Sequence, residues 1–528
     1  MPYYPIKCPY CLKDNKNEDV LFKLPGITIS EHTLTGLGAA GGGGPSGLAM
    51  TEEDDDDEGG LVSSPDNSAQ DSSGAKSLPA SGYITLAQLD TYEDVNVELE
   101  YRTVKIPYGF EGEWHDNEVV MGVTLEILSG NKVRTVKLTE RFCTCEHKLH
   151  RLSGLFPSYV AFLMGTSNAG KTMYLTALYH SFCEGAGLNL TRRYNFSDDC
   201  NVTMQVVSES AADTSLENLS YELFEYGRLP GTTIELNNEP LIMQVTVTFG
   251  DDSDKSQVSA LLFICDVPGE SLATNANEQN IAIIANRFGN YDAFMIMLDP
   301  TTLNPQVFTT ATDADGVVIT QREKQRQQRA QLTGLMRNTT NNFTMGQPVK
   351  KPAAILLTKG DLFYDEENFN RLKALNVTLS NPALSRQQHN AIDGVFFNET
   401  DDGSKRILEN LNVAVRNFVR DTFDVSYCSI VSALGRDGKI NIVNNSDGSY
   451  VDNHNIIKSW NVNSTALWLL MSLNILPPFH LMSTRVTPGE KRPETKARDD
   501  NNIRLLNEWG YKYCADWHEV TVRKGNNI

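Results

Sequence analysis

The chain has 528 residues, 40% hydrophobic and 21% charged, with 46 basic against 67 acidic side chains and a net charge of −21. That length supports one large core or two to three ordinary ones. The acidic balance does not suit sequence-independent nucleic-acid binding, which needs clustered Lys and Arg, so no nucleic-acid partner is expected.

The N-terminal residues MPYYPIKCPYC lack the basic-then-apolar layout of a secretory signal. Nine cysteines in the whole chain do not make a disulfide scaffold. A reducing, cytoplasmic setting is the expectation. Residues 1–23 read as a small Cys knuckle built on Cys8-Pro-Tyr-Cys11. Residues 24–82 carry a Gly-rich run and seven consecutive acids, Glu52 to Glu58, and read as a disordered insertion that buries too little apolar surface to offset its ordering entropy. Residues 83–156 change character. Val95–Val104 and Val119–Leu128 alternate apolar and polar residues, and Lys132–Leu138 does so more loosely, which predicts three or four half-exposed strands. This β-rich region ends in a second Cys/His cluster, Cys143 to His150.

From 157 onward short apolar runs alternate with helical stretches: Tyr159–Met164, Leu261–Cys265, Ala293–Leu298, Ala353–Leu357 and Val425–Val431. Such runs fit strands buried on both faces, and the alternation predicts an α/β fold with a mostly parallel sheet flanked by helices. Ile407, Leu411 and Val415 place one helical stripe within Lys405–Phe423. Residues 157–482 form this domain, with insertions at about 184–240 and 301–351 and an extension at 483–528. The second insertion holds a polar helix, Gln321–Arg337, and reads as a surface insertion and partner site. The apolar stretch 466–476 is too short to span a bilayer and contains Ser472 and Asn474. It reads as a helix on the sheet, ended by Pro477-Pro478.

The sharpest motif is Gly165-Thr-Ser-Asn168-Ala169-Gly170-Lys171-Thr172, which fits GxxxxGK[ST] between a strand and a helix. In such a loop backbone N–H groups surround a phosphate, the Lys neutralises β/γ oxygens and the Thr hydroxyl ligates Mg²⁺. Asp266-Val-Pro-Gly269-Glu270 leaves the next apolar run, where the Asp can hold Mg²⁺ through water and the Gly N–H can meet a γ-phosphate. Thr358-Lys359-Gly360-Asp361 follows another strand. Its carboxylate can accept from guanine N1 and N2, a donor pair that adenine lacks, at about 1.5–3 kcal/mol for each charge-assisted bond. Ser432-Ala433-Leu434 follows the last strand, where a backbone N–H can meet the base carbonyl.

In this order the motifs resemble translation-factor-and-Ras-related GTPases, most like the bacterial double-GTPase group, in which Cys-rich segments precede the G domain. The resemblance covers about 157–475. It implies that GTP or GDP is held by Gly165, Asn168, Ala169, Gly170, Lys171, Thr172, Thr358, Lys359, Asp361, Ser432, Ala433 and Leu434. It implies Mg²⁺ on Thr172, Asp266 and a mobile threonine. Leu229-Pro-Gly-Thr232-Thr233 supplies that threonine, with Thr233 favoured over Thr232 because the subfamily places it three after Pro. Catalysis would rest on Lys171, Thr233, Gly269 and Glu270. The family's water-positioning Gln is Glu270 here, which sits near a highly negative phosphate and leaves turnover open. Arg228 is a candidate arginine finger in cis.

Cys8 and Cys11, with Cys143 and Cys145 and with His147 and His150 nearby, are candidate structural Zn²⁺ ligands; free thiols and a redox pair are the alternatives. The functional expectation is a Mg²⁺-dependent GTP-binding switch that hydrolyses GTP slowly and meets a protein effector through its switch segments or insertions. The rivals are a nucleotide-binding structural or adaptor protein without turnover, and a P-loop ATPase.

Overall fold

A computed structural model of the chain describes residues 6–24, 82–92, 95–108, 113–129, 132–183, 188–190, 200–207, 211–225, 240–249, 256–266, 290–308, 318–343, 346–378, 380–384, 394–435, 459–476 and 517–525. The expected disordered stretch at 24–82 lies outside these, apart from its two ends.

The N-terminal part is β-rich. Strands β1 (Ile6–Lys7) and β2 (Asp14–Asn15) form a hairpin, and β3 (Leu21–Leu24) pairs with β4 (Gly82–Thr85) and, later, β8 (Arg141–Phe142). A short helix α1 (Leu86–Leu89) follows β4, its N-terminus capped by the Thr85 hydroxyl. The alternating segments become β5 (Val95–Tyr108), β6 (Glu113–Ser129) and β7 (Lys132–Leu138), an antiparallel meander. Its free edge on β5 is covered by a strand from the far end of the chain, Trp517–Gly525. The sequence read that segment only as an extension.

Arg141 anchors the turn from this region into the next. It is 3% exposed and donates to the carbonyls of Val120, His150, Arg151 and Ser153 at 3.0–3.3 Å. Burial lowers its pKa to about 10.

The main sheet has eight strands. They are β9 (Ser158–Gly165), β10 (Leu188–Asn189), β11 (Cys200–Val206), β12 (Leu241–Phe249), β13 (Ser256–Asp266), β14 (Ala293–Leu298), β15 (Ala353–Leu357) and β16 (Ser426–Ile430). Their spatial order is β10-β11-β12-β13-β9-β14-β15-β16, parallel from β13 to β16 and antiparallel from β10 to β13. Part of the insertion predicted at 184–240 therefore extends the sheet as β10 and β11.

Every residue of β14 and β15 is buried, as the unbroken apolar runs predicted. Side chains alternate between the faces. Val160, Phe162, Met164, Phe294 and Ile296 point into one core, while Ala161, Leu163, Met295 and Met297 point into the other.

Helices α2 (Lys171–Cys183), α3 (Ala211–Ser220) and α4 (Pro300–Leu303) come next in chain order, then α5 (Val318–Asn338) and α6 (Glu366–Lys373). The last are α7 (Gly394–Leu411), α8 (Val413–Thr422) and α9 (Val462–Ser472). Two differ from expectation. The stripe in Lys405–Phe423 is shared by α7 and α8, because Asn412 breaks the helix and its side chain caps Val415 N–H at 3.2 Å. The polar helix of the second insertion is α5, and it does not sit apart from the domain. Gln331, Leu332, Leu335 and Asn338 are buried along one stripe.

Candidate nucleotide site

The parallel strands end level with one another. Asp266 lies opposite Leu163, Met297 opposite Gly165, Leu298 opposite Leu357, and Leu357 opposite Ile430. The carboxyl ends of β9, β13, β15 and β16 therefore lie at one edge of the sheet, where α/β folds bind ligands.

The loop after β9 is shaped by three residues. A β-carbon on Gly165 would stand 3.0 Å from the Met297 carbonyl oxygen, so a side chain there would crowd the neighbouring strand. Asn168 and Gly170 have φ of +63° and +86°, the left-handed geometry that reverses the chain before α2. Ala169 is buried and donates from its N–H to the Thr166 carbonyl at 3.1 Å. Lys171 opens α2, and its ammonium donates back to the Gly165 carbonyl at 3.3 Å. It also stands 3.5 Å from Asp266 Oδ1. Thr172 follows on the first turn. The loop, its lysine and the acid after β13 thus share one locus.

On the other side, Thr358 is buried and places its hydroxyl 3.3 Å from the Leu298 carbonyl, so that hydroxyl ties β15 to β14. Its β-carbon lies 3.9 Å from where a side chain on Gly170 would begin, which brings this loop against the phosphate loop. Gly360 sits in close approach, because a β-carbon would meet the Trp460 ring at 3.0 Å and Ile430 at 3.1 Å. Asp361 accepts from the Ser432 hydroxyl at 2.9 Å. Burial pushes its carboxyl above the usual range; the Ser432 bond and the Lys359 charge offset part of that shift. Ser432 is held in turn by paired backbone bonds to Trp460, 2.7 and 3.0 Å. Ala433 and Leu434 complete the turn after β16.

Sequence reasoning missed Asp299. It directly follows β14, is 1% exposed, and caps α4 by accepting from Thr301 N–H at 2.9 Å and the Thr301 hydroxyl at 2.7 Å. Its other oxygen receives the Lys359 ammonium at 2.6 Å. Lys359 itself has φ of +53°, so this pair fixes a left-handed residue in the middle of the loop after β15. The available signal was an Asp-Pro leaving an apolar strand, an N-cap pattern. Thr233, Gly269, Glu270 and Arg228 lie outside the described residues.

The cysteine cluster forms separately. Donor atoms of Cys8, Cys11, Cys143 and His147 lie within 4.8 Å of one another. Cys11 Sγ to Cys143 Sγ is 3.7 Å, and Cys143 Sγ to His147 Nδ1 is 3.6 Å. Tetrahedral Zn²⁺ with ordinary bond lengths requires about 3.8 Å between sulfurs and about 3.5 Å from sulfur to nitrogen. Burial raises the Cys8 and Cys11 thiols, so their thiolates need a cation.

The fourth donor is His147 where the sequence suggested Cys145. Cys145 lies beside both Lys13 and Cys11, and its backbone N–H donates to Cys143 Sγ at 3.4 Å. His150 is engaged elsewhere, with Nε2 at 2.7 Å from the Val207 carbonyl.

A parallel sheet with a GxxxxGKT loop at the carboxyl end of a central strand defines a P-loop nucleotide-binding fold. Residues 160–393 match the family described as Double-GTPase 2. No curated protein matches the chain. Among solved structures it is similar to the S. cerevisiae Ski7 GTPase-like domain bound to GDP and inorganic phosphate, at 13% identity and a TM-score of 0.19. The same domain bound to GTP matches at 14% identity and a TM-score of 0.17. Each match covers 44% of this chain and 41% of the other.

Proposed function

We propose that the protein is a Mg²⁺-dependent GTP-binding switch that hydrolyses GTP slowly. The observation that carries this reading is the meeting of Lys171, Asp266 and the Thr358–Asp361 loop at one sheet edge, with Asp361 oriented by Ser432. Asp361 presents a half-buried carboxylate to a guanine N1/N2 donor pair, and Lys171 presents a cation to phosphate. Thr172 and Asp266 supply the hard oxygen donors that suit Mg²⁺, with Thr233 closing by resemblance. Bound Mg²⁺ would offset charge on the β- and γ-oxygens. Gly269 would sense the γ-phosphate and Glu270 would orient water, so the segments around Thr233 and after Asp266 would order on GTP and relax on GDP.

The Cys8, Cys11, Cys143 and His147 set supports a structural Zn²⁺ that ties the N-terminal knuckle to the β-rich region. Protein effectors would meet the switch segments or insertions, in a cytoplasmic setting. Among the described residues no helix is long and apolar enough to cross a membrane.

Glu270 favours a second reading, nucleotide binding without turnover in an adaptor. Phosphate release from GTP by the wild type and by Lys171→Ala separates the two. Release above background that the substitution abolishes supports the switch; equal background release from both rejects turnover.

A further inference from the structure

Gln331 is 2% exposed on α5, although a glutamine amide is costly to bury unless both its ends are bonded. Both ends meet one residue of the phosphate loop. Ser167 N–H donates to Gln331 Oε1 at 3.0 Å, and Gln331 Nε2 donates to Ser167 Oγ at 3.0 Å. One turn earlier on α5, Gln328 Nε2 donates to the Ser167 carbonyl at 3.1 Å. The insertion helix thus holds the N–H, hydroxyl and carbonyl of the third residue in the loop.

The path continues. Gln328 Oε1 accepts from the Thr302 hydroxyl at 3.2 Å, Thr302 is buried on α4, and α4 is capped by the same Asp299 that pairs with Lys359. A bonded chain therefore runs from the phosphate loop through α5 and α4 to the guanine-type loop.

We propose that Gln331 and Gln328 are positioning residues for the nucleotide: the insertion helix fixes the phosphate loop at Ser167 and thereby sets nucleotide affinity. This rests on the nucleotide-binding reading above. The cradle works only when the N–H groups after Ser167 converge, and a loop already held in that shape has less conformational freedom to lose on binding. Both amide ends of Gln331 are engaged with Ser167, so it acts through the loop and does not touch the phosphate.

The test is fluorescent-GDP binding and dissociation, with Mg²⁺, by the full-length wild type, Lys171→Ala, Gln331→Ala, Gln328→Ala, Ser167→Ala and the Ser167→Ala/Gln331→Ala double variant. Loss of either glutamine is expected to weaken GDP binding up to about tenfold, mostly through faster dissociation. At saturating GTP, phosphate release is expected to stay within about threefold of wild type, which gives a KM effect without a matching kcat effect. The double variant should be no weaker than Gln331→Ala alone, because the two substitutions remove the same hydroxyl–amide bond. Gln328 is partly exposed, so its variant reports even where Gln331→Ala fails to fold.

Wild-type binding that Lys171→Ala abolishes, together with unchanged dissociation in the foldable glutamine variants, overturns this proposal and leaves the nucleotide site standing. Additive losses in the double variant overturn it too. Absence of GDP binding by the wild type overturns both.

Discussion

Replacing Asp299 with Asn isolates one ion pair at the candidate site. Asn caps a helix as well as Asp does, so the bonds from Thr301 to Oδ1 at 2.9 and 2.7 Å are expected to survive. The contact that is lost is the one to the Lys359 ammonium at 2.6 Å, where an amide N–H₂ would face a cation. A hydrogen bond between charged groups is worth about 1.5–3 kcal/mol. The Asp299 side chain is 1% exposed but that of Lys359 is 36% exposed, which moves the expectation to the lower end, about 1.5 kcal/mol. For a domain of more than about 300 residues, at about 2.1 cal/mol/K of unfolding entropy per residue, that lowers Tm by about 2 °C. Because Lys359 sits at φ +53° within the guanine-type loop, releasing it also loosens that loop, and guanine-nucleotide affinity falls by up to about tenfold. Calorimetric unfolding and nucleotide titration on Asp299→Asn and Asp299→Ala measure both effects. Asp299→Ala also loses the cap and is expected to drop further by about 1 kcal/mol. An Asp299→Asn protein with wild-type Tm and wild-type nucleotide affinity would refute the reasoning.

Three further outcomes are expected. One zinc per chain should be found by metal analysis and be lost in Cys143→Ser or His147→Ala, while Cys145→Ser should retain it; the reverse pattern contradicts the Cys8, Cys11, Cys143 and His147 set. Guanine-nucleotide affinity should fall with acidification, beginning at a higher pH than for an ordinary carboxylate, because burial raises Asp361 and a neutral carboxyl cannot accept both N–H bonds. The same upward shift means that the unliganded fold gains stability as pH drops through it, opposite in sign to a salt-bridged carboxylate; an affinity that falls only where an ordinary carboxylate titrates, at about pH 4, speaks against this. Arg141→Ala should destabilise by about 3–5 kcal/mol by orphaning four carbonyls in a buried site, and an unfolding transition matching wild type would show that those bonds add nothing.

Strands β9, β14 and β15 were legible because a strand buried on both faces must be apolar throughout, and the chemistry-bearing loops follow from where those strands stop. The GxxxxGKT loop was legible because its glycines answer backbone demands: Gly165 against Met297, and Gly170 at positive φ. What stayed hidden depends on contacts between distant segments. Gln331 looks like one more polar residue in a polar helix until the phosphate loop is placed beside it. Asp299 goes unread in the sequence, since Asp-Pro after an apolar run signals at most a helix cap, and only the fold reveals Lys359 against its second oxygen. His147 and Cys145 are equally plausible ligands by spacing, and only the fold gathers the His147 ring with Cys8, Cys11 and Cys143. The strand Trp517–Gly525 finds its partner β5 more than 400 residues away in the chain, a pairing that no local pattern encodes.

The central claim is that one sheet edge forms a single guanine-nucleotide pocket, and titration of GDP and ADP into wild type and Asp361→Asn, with Mg²⁺ and with chelator, tests it most directly. The account predicts wild-type binding of GDP well above ADP, strengthened by Mg²⁺, with the preference lost when Asp361 becomes an amide. A wild type that binds ADP as tightly as GDP, or an Asp361→Asn protein that keeps the full guanine preference, would contradict it.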